Sequence, residues 1–172
     1  LDGRSFRLSA VLVPVQQRED GDHLVLTRRA LHLNHHQGQI AFPGGKIDPD
    51  DDGALQAALR ESREEIGLQP ADVSILGQLD QVTAGSDFLI TPFVGSIPHP
   101  YEFLVDEHET AEVFTVPISK LLGQGCFEVQ PRPRFSDRDD PIYHFYYDGR
   151  DIWGATARIV KQFLELAYDF KT

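Results

Sequence analysis

The chain is expected to fold as a mixed α/β sandwich, and three observations predict it. Short segments rich in β-branched and apolar residues recur along the sequence, only two stretches carry helical spacing, one central and one terminal, and no repeat or long linker separates them. At 172 residues one domain spanning 1–172 is expected, large enough to bury a real core.

Phe6 to Val15 reads as a first strand, a polar turn over Gln16 to Asp22 follows, and His23 to Arg29 reads as a second strand. Leu31 to Gln39 is polar and His-rich, which predicts a loop. Ile40-Ala41-Phe42 is a short strand stopped by the turn Pro43-Gly44-Gly45. A helix is expected to start within Asp50-Asp51-Asp52, any of which could cap it, and to bury Leu55, Ala58, Leu59 and Ile66, with its glutamates off that stripe. Gly67 follows where a helix ends with positive φ. Further strands are expected over Val73–Val82, Phe88–Ile97, Ala111–Val116, Phe127–Gln130 and Pro141–Tyr147, the last closed by Asp148-Gly149. An amphipathic helix from Gly154 to Tyr168 would pack Ile159, Phe163, Leu164 and Leu166 on the body.

Composition excludes several function classes. The formal net charge of -11 opposes nonspecific binding to nucleic acid or an anionic membrane, both of which draw affinity from Lys and Arg. A small anionic substrate remains compatible, because bound metal ions reverse the local field. No apolar run approaches the roughly 18 to 20 residues that cross a bilayer. The opening Leu1-Asp2-Gly3-Arg4 shows no charged-then-apolar leader, although the absent initiator Met leaves a trimmed N-terminus open. The single Cys126 forms no internal disulfide and suits a reducing, cytoplasmic setting as a plain buried thiol. Oligomeric state stays open.

Chemistry concentrates between Gly44 and Leu68. A glycine turn leads through an acidic stretch to Arg60-Glu61-Ser62-Arg63-Glu64-Glu65-Ile66-Gly67-Leu68. Residues three and four apart share a helix face, so Glu61 lies beside Glu64 and Glu65. Such a patch needs a positive partner, and a hard divalent cation takes carboxylate oxygens while keeping waters that a phosphate displaces. The competing reading is a solvated helix face held by pairs such as Arg60 with Glu64. The glycines upstream favour the metal site, since they let backbone approach an ion or phosphate closely. A calcium loop over Asp48 to Gly53 fails, because its twelfth position holds Leu59 rather than Glu.

Gly45 through Leu68 resembles the signature of the Nudix hydrolases, G-x5-E-x7-R-E-U-x-E-E-x-G-U with U a bulky aliphatic, through Arg60, Glu61, Glu64, Glu65, Gly67 and Leu68. The span from Gly45 to Arg60 is one residue longer, with Asp51 or Asp52 in place of the first acid, and Ser62 replaces an aliphatic residue. Both departures resemble the coenzyme A diphosphatase branch. So does Val25-Leu26-Thr27-Arg28-Arg29-Ala30, followed by Gly38 and Phe42-Pro43-Gly44-Gly45, and so does the ending Ile152 to Arg158. Asn34 stands where that branch has Arg, leaving Arg28, Arg29 or Lys46 to supply the charge.

The resemblance implies a Nudix-type α/β/α sandwich, with a mixed sheet between helices, that uses Mg²⁺ or Mn²⁺ to hydrolyse the diphosphate of coenzyme A. The products would be 4′-phosphopantetheine and adenosine 3′,5′-bisphosphate; ADP-ribose or a dinucleotide is the alternative substrate, and a non-catalytic nucleotide sensor a third reading. It implies Glu61 and Glu65 as metal ligands, Glu64 as a further ligand or a water-mediated contact, and the Gly45 carbonyl beside them. Arg60 would orient the glutamates. Glu107, Glu109 and Glu112 are available as general base in a later loop, with Glu109 preferred. Arg29, with its two-pronged guanidinium, is the phosphate contact, and Arg28 and Lys46 join the substrate set. Trp153, at a helix start, is expected in the core, with stacking on adenine as the alternative. His35 and His36 are expected at the surface or in minor substrate contacts.

Overall fold

The structure, a computed structural model, describes residues 5–32, 37–85, 87–132 and 140–171. Asn34, His35 and His36 lie outside the described residues. The large sheet is built on β1 (Arg7–Arg18), which pairs in parallel with β7 (Phe88–Ile97) from Arg7↔Phe88 to Gln16↔Ile97. On its other side β1 runs antiparallel to β2 (Gly21–Arg29), and β2 in turn to β3 (Ile40–Ala41) and β8 (Thr110–Pro117). The strand β4 (Gly44–Lys46) pairs with β1, while β5 (Ser74–Gln78) and β6 (Val82–Ala84) pair with β7. A separate three-stranded sheet contains β9 (Phe127–Gln130), β10 (Ile142–Tyr147) and β11 (Arg150–Trp153). The helices are α1 (Ala54–Ile66), the single turn α2 (Ile118–Leu121) and α3 (Gly154–Tyr168).

Alternation along the strands splits the interior into two layers. Ala10 and Leu12 of β1 and Val25 of β2 join Ala57, Ala58 and Ile66 of α1. Val13 and Val15 with Leu24 and Leu26 point the other way, onto Ile159, Val160, Phe163 and Leu164 of α3. The period of two thus places α1 and α3 on opposite faces of one mixed sheet, the expected sandwich. Each fully buried Leu or Ile here contributes about 1.5–3 kcal/mol. No helix among the described residues is long and apolar enough to cross a membrane.

Several local expectations need correction. The turn over Gln16–Asp22 shrinks to Glu19-Asp20, because Gln16 stays in the ladder with its side chain buried and Nε2 donating to the Pro98 carbonyl at 2.8 Å. The segment Val73–Val82 is two strands rather than one, interrupted at Leu79–Gln81. Sequence reading also missed β11, which returns on β10 through Asp148 and Gly149, at φ of 49° and 70°, as two-residue hairpins require. Leu166 is exposed, since the apolar stripe of α3 runs through Ala157, Val160 and Leu164 instead.

Candidate active site

The Gly44-Gly45-Lys46 segment is a strand, not a free loop. It pairs antiparallel to β1 with Ala10 opposite Gly45 and Val11 opposite Gly44, and this lays its backbone beside α1. A Cβ on Gly44 would come 2.3 Å from the Ala10 carbonyl oxygen, and its φ of 154° disfavours any side chain. A Cβ on Gly45 would instead meet the Glu61 carboxylate, 2.5 Å from its carbon. Glu65, one turn on, accepts the Gly44 N–H on Oε2 at 3.3 Å. The two glutamates therefore flank the backbone of two adjacent glycines.

Neighbouring glycines should then respond differently to a methyl group. Gly44→Ala collides with rigid backbone and should destabilise the fold by about 3 kcal/mol or more. The nearest atoms to a methyl group in Gly45→Ala are the carboxylate end of Glu61 rather than backbone, so this variant should melt closer to the wild type than Gly44→Ala yet lose about tenfold or more in kcat. Thermal melts and initial rates on the two variants read the contrast.

Burial distinguishes the glutamates. Glu65 lies on the inward face of α1, 6% exposed, with Ala58, Ser62 and Ile66, not off the apolar stripe as its spacing suggested. Burial pushes its carboxyl up to about 8, reinforced by the Glu61 and Glu109 carboxylates, against the Gly44 N–H and the charge of Arg29. Burial likewise raises Glu61, against its hydrogen bond from Arg60. Glu64 is exposed and turned to Arg60, 3.2 Å from its Nη1.

Arg60 ties the acidic stretch to the helix. Its Nε and Nη2 donate to the two oxygens of Asp51 at 2.9 and 2.8 Å, and Nη2 also reaches the Lys46 carbonyl at 3.1 Å. Nη1 donates to Glu61 at 2.9 Å, and Asp48 lies 3.4 Å away. Asp51, its side chain almost buried, is the acid that meets this arginine, and the guanidinium holds its carboxyl down at about 2. This explains why no aspartate caps α1: Asp51 is committed to Arg60 and to the Asp48 N–H, and Gly53 occupies the N-cap at φ 99° with no side-chain bond.

Glu109 reaches the site from the loop before β8. The Asp106 N–H donates to the carbonyl of Glu65 itself at 2.9 Å, the Glu109 N–H closes a turn onto Asp106, and the Ala30 N–H binds the Glu109 carbonyl. Glu112 is held between Arg28, at 3.6 Å, and Arg150. That pair also takes Arg28 away from the glutamates, and Glu107 does not line the cleft described next.

A cleft of about 570 Å³ opens beside Glu65 and Glu109, while Glu61 lies behind the Gly45 backbone and does not line it. Gly44, Gly45, Lys46, Glu65, Glu109 and Arg29 line one part of it, and Val11, Phe42, Phe88 and Ile90 supply apolar wall. The first turn of α3 and Trp153 line another part. Trp153 is not a core residue: it is 43% exposed at the cleft mouth, its ring stacked at 15° on His144, which Asp151 holds at 3.0 Å. Cys126 is buried, its thiol pushed up by burial, and takes no part in the site.

Among the described residues no three His, Cys, Asp or Glu side chains gather closely enough to enclose a metal by themselves. The donor chemistry nonetheless fits a hard divalent cation. Glu61 and Glu65 border glycine backbone, burial raises both carboxyls even with Arg60 beside Glu61, so an added cation would favour their charged forms, and Mg²⁺-like ions retain waters rather than needing an all-protein cage.

A mixed sheet between helices, with a carboxylate-bearing helix laid against a glycine strand, defines a hydrolase of the Nudix class. The model of the NUDIX domain matches residues 6–143, and the chain belongs to that family as a pyrophosphohydrolase. It is 37% identical over 155 residues to the uncharacterized Nudix hydrolase NudL of Yersinia pestis (strain Pestoides F), covering 90% of this chain and 77% of the relative. Solved structures agree in fold. A MutT NUDIX hydrolase from Burkholderia pseudomallei superposes at a TM-score of 0.55 with 18% identity, over 92% of this chain and 98% of that one. A C. elegans Ap4A hydrolase complex gives 0.56 with 18% identity, over 64% and 80%. Nudix hydrolases act with divalent metal ions.

Proposed function

We propose that the protein hydrolyses the diphosphate of coenzyme A or a derivative to 4′-phosphopantetheine and adenosine 3′,5′-bisphosphate, acting in the cytoplasm as one domain. The observation that carries this reading is where the upstream coenzyme A-type motif falls: Thr27, Arg29, Phe42, Gly44 and Gly45 all line the cleft that Glu65 and Glu109 share.

In this reading Glu61, Glu65 and the Gly45 carbonyl would hold Mg²⁺ or Mn²⁺, with Glu64 as a further ligand or a water-mediated contact. Bound there, such ions would supply the charge that makes a water nucleophilic and offsets the negative charge of the diphosphate. Glu109, exposed above Glu65, accepts the proton that the water loses as its oxygen bonds to phosphorus. Arg29 steadies a phosphate oxygen. Its Nε is buried without a hydrogen-bond partner among the described residues. Lys46 adds positive charge at the rim, and Arg60 positions Glu61 without touching substrate. Trp153 offers an exposed ring to a nucleobase, and Trp153→Ala should raise KM several-fold with a smaller effect on kcat.

Initial rates on coenzyme A, ADP-ribose and a dinucleoside polyphosphate test the substrate. A kcat/KM for coenzyme A at least tenfold above the others is expected. A preference for ADP-ribose or the dinucleotide would replace the substrate and keep the enzyme class, and binding of all three without cleavage would favour a nucleotide sensor.

A further inference from the structure

A second group of charges faces the same cleft from outside the glutamate helix. Arg132, just after β9, and Arg158, in the first turns of α3, both line the cleft and both contact Asp140, just before β10. Arg132 donates through Nε to the Asp140 carbonyl at 3.0 Å and through Nη2 to its carboxylate at 3.2 Å. Arg158 Nη1 lies 3.0 Å from the same carboxylate oxygen, yet makes no aligned hydrogen bond among the described residues. We propose that Arg132 and Arg158, braced by Asp140, form a second anion subsite, which takes a phosphomonoester carried by the substrate whose diphosphate meets the glutamates.

A purely structural clamp between the small sheet and α3 would need only one arginine for one carboxylate. Among the described residues two guanidiniums here meet a single carboxylate, a local excess of positive charge in a chain of net charge -11. The two side chains are 24% and 28% exposed, open enough to reach a ligand and screened less than surface charges. Planar guanidiniums suit a phosphate, since each can offer paired N–H groups to its oxygens. The first turn of α3, with no side-chain cap, adds a field of the same sign but does not make the site alone. Exposed Trp153 on this wall would place a nucleobase beside that phosphate.

The subsite rests on the diphosphatase reading only in assigning both groups to one substrate, so its test is a binding measurement. Calorimetry with adenosine 3′,5′-bisphosphate and with AMP, in chelator, isolates the contribution of the second phosphate. The wild type should bind the bisphosphate at least tenfold more tightly. Arg158→Gln and Arg132→Gln should each erase most of that preference while leaving AMP affinity within about twofold. Equal wild-type affinities for the two nucleotides, or a preference that survives in a folded variant, would overturn the subsite. The wild-type comparison decides even where a variant fails to fold. Hydrolysis adds a separate arm: kcat/KM for coenzyme A should fall in both variants while that for 3′-dephospho-coenzyme A holds. Failure to cleave either compound would sink the diphosphatase reading and leave the binding preference standing.

Discussion

Glu65→Gln is expected to lower kcat by about a thousandfold or more, on the order of 4 kcal/mol of transition-state stabilisation, while the protein melts no lower than the wild type. The amide keeps the size of the carboxylate but not the charge that would hold a cation beside Gly44 and Gly45. Stability should not suffer, because Glu65 is buried among Ala58, Ser62 and Ile66 and its charge is a burden there. The sign of the pH effect follows. The folded carboxyl is raised from 4.5 to about 8, so without divalent ions the folded state holds its proton more tightly than the unfolded one. Stability of the chelated protein is therefore full below about pH 4.5 and declines as pH rises towards 8. Chelated urea melts at several pH values should show this decline in the wild type and lose most of it in Glu65→Gln. A steeper decline in the variant would contradict the burial argument.

Arg60→Ala should be the next most damaging change to activity, and it should lower stability as well. The side chain joins Asp51, Glu61, Glu64 and the Lys46 carbonyl, and truncation leaves the almost buried Asp51 without its cation. Arg60 is 22% exposed, so a loss of about 2 kcal/mol is expected rather than the larger cost of a fully buried pair, or roughly 4 to 8 °C in Tm. Activity should fall about a hundredfold, as Glu61 loses the donor that fixes it. The Asp51–Arg60 link has its own pH window. Its contribution is present above the ordinary carboxylate range and is lost as pH falls through about 4 towards 2. Arg60→Ala should therefore flatten the acid limb of the stability profile, as fluorescence melts between pH 2 and 5 would show.

Periodicity made the sandwich legible. The alternation of Ala10 and Leu12 against Val13 and Val15, and the Gly67 stop at φ 71°, carry signals that any pleated strand or helix end must carry. The strand Phe88–Ile97 and the helix Gly154–Tyr168 have the bounds their patterns predict. Legibility failed where tertiary contacts override local preference. Gly44-Gly45 reads as a turn by composition, but pairing with β1 draws it into the sheet. Glu65 reads as a solvated charge, because no local signal tells a carboxylate buried for chemistry from one facing water. Asp51 reads as a cap because its partner, Arg60, is nine residues away. For Trp153 a helix start suggested packing, and only the cross-strand neighbour His144 shows its ring standing at the cleft mouth.

At the candidate site the sequence placed Glu61, Glu65, Gly45, Glu109, Arg29 and Lys46 in one cluster, and their proximity in the fold supports the roles proposed for them. Arg28 differs. Successive strand residues point to opposite faces, so Thr27 and Arg29 line the cleft while Arg28 between them meets Glu112 instead. The Arg132–Asp140–Arg158 group left no trace in sequence, since its members come from three segments joined only in space.

The central claim is a divalent-metal-dependent cleavage of coenzyme A at its diphosphate. The most direct test is mass spectrometry of coenzyme A after incubation with chelator-stripped protein, with and without restored Mg²⁺ or Mn²⁺. Appearance of 4′-phosphopantetheine and adenosine 3′,5′-bisphosphate only when the metal is returned is the predicted result. Intact coenzyme A under every condition, or the same products at the same rate in chelator, would contradict it.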